Sequence, residues 1–245
     1  MKNFWKQVNQ VISQSDIIMQ VLDARFPEES RNKELEEKVA KSGKQLVYVI
    51  NKADLVGKEI AERKARALRP SVFVSSKERH GMTLLLKTLL RYAQQENCRV
   101  GVVGYPNTGK SSVINGLKGT GSAGTSPVSG YTRGIQRIRI HRRLVLLDTP
   151  GVIPFREKDT LKHVLLGTLD AQKVKEPEDV VIDMIASLGE TLTSHYGVSG
   201  DDEEEILEGI ARSMNMFRKG GVPDTKRAAI KVIHDWQQGH VRDMS

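Results

Sequence analysis

Residues 99–103, Arg99-Val-Gly-Val-Val103, run directly into Gly104-Tyr-Pro-Asn-Thr-Gly-Lys-Ser111. The first segment is a short apolar run of the kind that forms a buried strand. The second matches G-x-x-x-x-G-K-[ST], in which glycines at both ends let the backbone wrap closely around an anion. A helix beginning near Ser111 adds the positive end of its dipole. The pattern therefore predicts a phosphate-binding loop. Asn107, Thr108, Gly109 and Ser112 line it, Lys110 reaches the terminal phosphates, and the Ser111 hydroxyl ligates Mg²⁺. A plain glycine-rich turn is the alternative, and the placement between a strand and a helix argues against it.

Working outward, five more segments read as strands: 17–22, 45–50, 71–74, 135–140 and 143–147. Helical patterns span 32–42, 58–68 and 82–95, and residues 4–12 form an amphipathic helix. Strands alternating with helices predict an α/β fold with a doubly wound, mostly parallel six-stranded sheet of the P-loop type. Segment 135–140, IQRIRI, alternates apolar and basic residues, so it is expected at an edge or in a hairpin. In such a sheet, ligands bind at the carboxyl ends of the strands. The polar motifs that follow the strands should thus meet at one edge.

Two of those motifs identify a ligand. Asp148-Thr-Pro-Gly151 follows an apolar strand, so Asp148 is expected to hold Mg²⁺ through water and the Gly151 amide to face a γ-phosphate. In Asn51-Lys-Ala-Asp54, the Asp54 carboxylate can accept two hydrogen bonds from the guanine N1–H and exocyclic amine, a donor pair that adenine lacks. The Lys52 stem can lie across the purine, Asn51 can tie loops together, and Ala53 belongs to the same nucleotide-binding motif. Ser75, Ser76 and Lys77 end the next strand with backbone N–H groups for the guanine O6. The expected ligands are GTP and GDP.

From about Pro177 the strand pattern stops, and apolar residues recur at helical spacing around 180–188, 206–217 and 229–236. The predicted division is residues 1–175 and a helical domain, 176–245. Charge divides similarly: the chain carries +8 overall, but residues 178–245 hold 7 Lys/Arg against 13 Asp/Glu. The preceding part is strongly basic, as a partner rich in phosphate favours; an ordinary solvated surface is the alternative. A single cysteine, Cys98, excludes an internal disulfide and a cysteine-based metal cage. No apolar run approaches the ~20 residues of a membrane span. The expected setting is cytoplasmic, with a monomer favoured and no role for membrane or DNA.

The motifs resemble those of the GTPase superfamily, but in rotated order: N-K-A-D and S-S-K precede G-Y-P-N-T-G-K-S and D-T-P-G. That order resembles the circularly permuted GTPases of the YlqF/RbgA-like family, which is linked to assembly of the large ribosomal subunit. Asp23-Ala-Arg-Phe-Pro27, Ser30-Arg-Asn32 and Arg218-Lys-Gly-Gly-Val-Pro-Asp224 resemble the same family. The resemblance implies a switch threonine, Thr132, with Thr125 as its rival, and K⁺ held beside the phosphates through Asn107. It implies rRNA or the large subunit as partner. A GTP-regulated RNA-binding or RNA-modifying protein is the alternative. Val152 stands where other GTPases orient water with a glutamine, and no histidine precedes His80, so unaided hydrolysis is expected to be slow. Arg133, Arg137, Arg139, Arg142 and Arg143 surround the switch segment as an RNA-binding cluster or a solvated hairpin. A second basic cluster runs from Arg212 to Lys231.

Overall fold

The computed structural model describes residues 2–120, 136–148 and 159–242, with side chains in the first helix from Val8 onward. The elements of the sheet-containing unit are α1 (Lys2–Gln14), β1 (Ile17–Asp23), α2 (Lys33–Lys41), β2 (Gln45–Asn51), α3 (Lys58–Lys64), β3 (Ser71–Phe73), α4 (Met82–Tyr92), β4 (Cys98–Val103), α5 (Lys110–Thr120), β5 (Gln136–His141) and β6 (Leu144–Asp148). Among the described residues they form one six-stranded sheet in the order β3-β2-β1-β4-β6-β5. Every neighbouring pair is parallel except the β5–β6 hairpin at the edge. The described part of IQRIRI, from Gln136, thus occupies the predicted edge.

Strand alternation builds two cores, one on each face. Ile17, Met19 and Val21 of β1 join Val47, Val49, Val100 and Val102 beneath Leu85, Leu89, Val113 and Leu117 of α4 and α5. Ile18, pointing the other way, packs with Val8, Val11 and Ile12 of α1 and with Leu35 and Val39 of α2. α2 is closed by its own sequence, because the Asn32 side chain accepts the Leu35 N–H and Ser42 caps the far end. α1 has no basic residue in its last turn. Its final carbonyls instead receive the Lys44 ammonium, which donates to Ile12, Ser13 and Ser15. α3 is shorter than the predicted 58–68. Beyond Ala65 the chain tightens, with Leu68 N–H bonded to the Ala65 carbonyl, and Pro70 bars further helix.

The second unit comprises Leu55–Gly57 and Lys158–Ser245. Its helices are α6 (Thr160–Leu165), α7 (Pro177–Tyr196), α8 (Glu203–Ser213) and α9 (Thr225–Gln238). This unit groups α6, which begins at Thr160, with the helices that follow Pro177. Trp236 of α9, fully buried, donates to the Leu165 carbonyl, and Gln237 donates to that of Leu169. α7, α8 and α9 pack mutually. Asp202 caps α8 and Glu203–Glu205 fill its first turn, which accounts for the acidic run. Phe217, grouped by its spacing with the α8 stripe, lies outside that helix. Asn215 at φ 54 ends the helix, and Phe217 pairs with Pro223 across a turn, 46% exposed.

Gly101 of β4 lies directly against the C-terminal part of α1 and the residue that follows it. A Cβ there would lie 2.4 Å from Ser15 Oγ and 2.7 Å from Val11 Cγ1. Gly101→Ala is expected to destabilise this unit by about 1–3 kcal/mol through overpacking. Urea unfolding followed by circular dichroism checks this; an unchanged midpoint refutes the close packing.

Candidate functional site

The parallel strands deliver their carboxyl ends to one edge. Asp23 ends β1 opposite Asn51, which ends β2. Val74 and Ser75 follow β3, Gly104 follows β4, and Asp148 ends β6, paired in register with Val102.

Asn51 joins three of these ends. Its side-chain amide donates to the Thr108 carbonyl at 2.8 Å, and its carbonyl oxygen accepts the Ser76 N–H at 3.1 Å. Gly109, at φ 91, passes so near that a Cβ would lie 2.2 Å from the Asn51 amide nitrogen. The Ser75 hydroxyl donates to Asp54 at 2.6 Å and accepts the Glu78 N–H at 3.1 Å, which sets the carboxylate's orientation. The Ala53 N–H bonds to the Val74 carbonyl, fastening the first loop to the third strand. Lys77 is exposed beside them.

The loop after β4 is folded for an anion. Gly104 takes φ 147 against Val21, whose carbonyl oxygen would lie 2.5 Å from an added Cβ, and Asn107 takes φ 60. The buried Thr108 hydroxyl donates to the Tyr105 carbonyl at 2.9 Å, closing the turn. Lys110, itself buried, donates to the carbonyls of Gly104 at 3.1 Å and Tyr105 at 2.6 Å. Burial pushes its pKa down to about 8, and the attraction of Asp148 opposes this only partly. Ser111 and Ser112 stand exposed on the first turn of α5. The oxygen donors Ser111 and Asp148 match the preference of Mg²⁺ for hydroxyl, carboxylate and water ligands. Among the described residues, no group of three or more His, Cys, Asp or Glu forms an all-protein cage.

Thr125, Thr132, Arg133, Gly151 and Val152 lie outside the described residues. The remaining arginines of the hairpin divide. Arg139 donates to Asn97 and Arg143 to the Ala93 carbonyl, whereas Arg137 and Arg142 are exposed. Two features of the site escape a motif reading. Tyr105 occupies a variable position of the pattern yet is fully buried, with its carbonyl receiving Lys110. Asp23 and Arg25, quoted above only for resemblance, form a buried ion pair at 2.8 Å, and Lys52 joins it at 2.8 Å. A carboxylate ending an apolar strand, with a cation two residues on, was the available signal.

A family model described as 50S ribosome-binding GTPase matches residues 99–215. An uncharacterized GTP-binding protein of Methanocaldococcus jannaschii is 40% identical over 243 residues, covering 96% of this chain and 65% of the relative. Nucleolar GTP-binding protein 2 of Saccharomyces cerevisiae is 33% identical over 254 residues, covering 98% of this chain and 52% of the relative. The chain thus spans between about half and two thirds of the length of these curated relatives. Among solved structures, GDP-bound YlqF superposes with a TM-score of 0.70 at 25% identity, covering 96% of each chain. GNP-bound YlqF from T. maritima, at 23% identity, shares the fold with a TM-score of 0.70. The rotated motif order, the sheet that gathers those motifs and these likenesses agree: over nearly its whole length the chain is similar to GTP-binding proteins of the YlqF type, and residues 99–215 match a GTPase family model.

Proposed function

We propose that this chain binds GTP and GDP at the strand ends and hydrolyses GTP slowly, as a switch acting in assembly of the large ribosomal subunit. The observation that carries the nucleotide reading is the Asn51 junction. One buried amide fixes the loop bearing Asp54, the loop bearing Ser76 and the loop bearing Lys110 against each other. A base-reading carboxylate and a phosphate-reading ammonium are thereby held in one frame.

In hydrolysis, a water oxygen attacks the γ-phosphorus, the bond to the β–γ bridging oxygen breaks, and GDP and inorganic phosphate leave. Lys110 and the backbone N–H groups of 107–111 offset the charge on the transferring group. Ser111 and Asp148 are the residues that would hold Mg²⁺, which supplies charge neutralisation at the β- and γ-oxygens. Thr132 keeps the role that the family resemblance implies, sensing the metal and the γ-phosphate, and Gly151 the γ-phosphate contact expected from its motif. Asn107, at the exposed crest of the loop, would hold K⁺.

The ribosomal part draws on the matched family's description and on surface chemistry. Arg137 and Arg142 are exposed on one unit. On the other, exposed Phe217 and Val222 sit among exposed Arg212, Lys219, Lys226 and Arg227, a mixture suited to RNA phosphates and unpaired bases. Among the described residues no helix is long and apolar enough to cross a membrane. The site of action follows the site of ribosome assembly, which is the cytoplasm in a cell without a nucleus.

Three measurements test this reading. Asp54→Asn is expected to shift preference from GTP toward XTP, since an amide complements a carbonyl at purine C2; retained GTP preference overturns the base assignment. GDP affinity is expected to fall with pH. Lys110 titrates near 8 in the free protein and regains its proton against polyphosphate, so binding takes up a proton above pH 8. Calorimetry should show about fourfold weaker binding at pH 8.5 than at pH 7, and a flat profile removes Lys110 from the phosphates. Finally, cosedimentation with large ribosomal subunits should be strongest with a non-hydrolysable GTP analogue. Turnover should rise with subunits present and be faster in KCl than in NaCl. Absence of state-dependent binding leaves a GTPase acting elsewhere, and equal rates in the two salts remove K⁺ from Asn107.

A further inference from the structure

Asp23 ends the central strand β1 between the base-reading and phosphate-reading loops, and neither motif accounts for it. Its side chain is 1% exposed. The Arg25 guanidinium donates to Oδ1 at 3.0 Å and to Oδ2 at 2.8 Å, and the Arg25 backbone N–H donates to Oδ1 at 3.1 Å. The Lys52 ammonium reaches Oδ2 at 2.8 Å. The Asp23 N–H is itself held by Ser30 Oγ at 3.1 Å, and that hydroxyl donates to the Phe26 carbonyl. The carboxylate therefore sits in a fixed cradle. Burial works against its charge, but the Arg25 and Lys52 cations prevail and hold it well below the usual carboxylate range.

Lys52 is constrained at both ends. Its backbone leaves β2 at φ 63, a left-handed conformation that disfavours a residue with a Cβ. Its Nζ is pinned on Asp23, so the side chain that leaves the base-reading loop is fixed at its far end as well. A buried ion cluster gains little stability over an apolar cluster of equal volume, because desolvation consumes most of the Coulombic gain. What it does supply is a defined position for each charged end.

We propose that Asp23 is a positioning residue for the purine: it anchors the Lys52 ammonium so that the lysine stem forms a fixed platform for the guanine face. This rests on the guanine reading above and adds to it a residue outside the base-reading motif. Arg25 completes the cradle by keeping the carboxylate ionised without competing for the base.

The test is dissociation of a fluorescent N-methylanthraniloyl GDP, by stopped flow, from the whole chain and its variants. Lys52→Met keeps a stem but loses the anchored charge, and is expected to speed release about tenfold. Lys52→Arg, which can still reach the carboxylate, should recover most of that loss. Asp23→Asn should resemble Lys52→Met, and the double variant should release no faster than Lys52→Met alone, because the two residues act through one contact. Should Asp23→Asn fail to fold by circular dichroism, the two Lys52 variants decide, since both leave the Asp23–Arg25 pair intact. Full additivity in the double variant, or wild-type release from Lys52→Met, overturns the proposal. Wild-type protein that takes up no labelled GDP overturns the guanine reading and this inference together. Wild-type binding with an unaffected Lys52→Met leaves the guanine reading in place and removes Asp23 alone.

Discussion

The two hydrogen bonds of the Asn51 amide hold together segments that are far apart in the chain. Its partners Thr108 and Ser76 lie 57 and 25 residues away. Each such bond contributes roughly 1 kcal/mol net, but a buried amide left without partners costs more than that. The three loops are thus free to move only together. Gly109 makes the dependence mutual, because the phosphate-facing backbone passes within a space that any side chain would fill. The parallel sheet makes the junction possible: it carries β2, β3 and β4 to the same edge, with β1 between the first and third.

The two lysines of the site show how environment sets the task of a charge. Lys52 meets a buried carboxylate and is committed to it. Lys110 is buried against neutral carbonyls, with Asp148 attracting it only in part, and its proton is held less firmly than that of an ordinary lysine. An incoming polyphosphate gives Lys110 the counter-charge that the fold gives Lys52 already. One ammonium serves as structure, the other as receptor.

Much of this was legible in the sequence. All six strands, their parallel arrangement and the edge position of IQRIRI follow from apolar runs alternating with helical periods, and Asn32 and Ser42 bracket α2 where the sequence places them. The convergence of N-K-A-D, S-S-K and the glycine loop follows from strand direction alone. Asn51 was expected to tie loops together and does, but other long-range partners were not legible, since no local pattern records that Lys44 caps α1. Periodicity also ran past true helix ends. Phe217 fits the stripe of α8, but the left-handed Asn215 turns the chain before it, and the spacing rule has no sense of φ. Nor does any local pattern record that α6 is held by Trp236, 71 residues further along the chain.

The place of β1 in the sheet carries a consequence for how the chain is made. Among the described strands β1 comes first in chain order, yet it lies at the centre of the sheet, flanked by β2 and by β4. Its β2 side is filled after some thirty residues, from Gln45, but its β4 side waits for Val100 to Val103. Through that interval the nascent sheet has an open flank of unpaired backbone at Ile17 to Gln20, the kind of edge that recruits foreign strands. The contact at the middle of the sheet, β1 with β4, is therefore made only after the β1–β2 and β2–β3 contacts on its other side. The growing chain holds its base-reading half complete, and its interior exposed, until the phosphate-reading half is made.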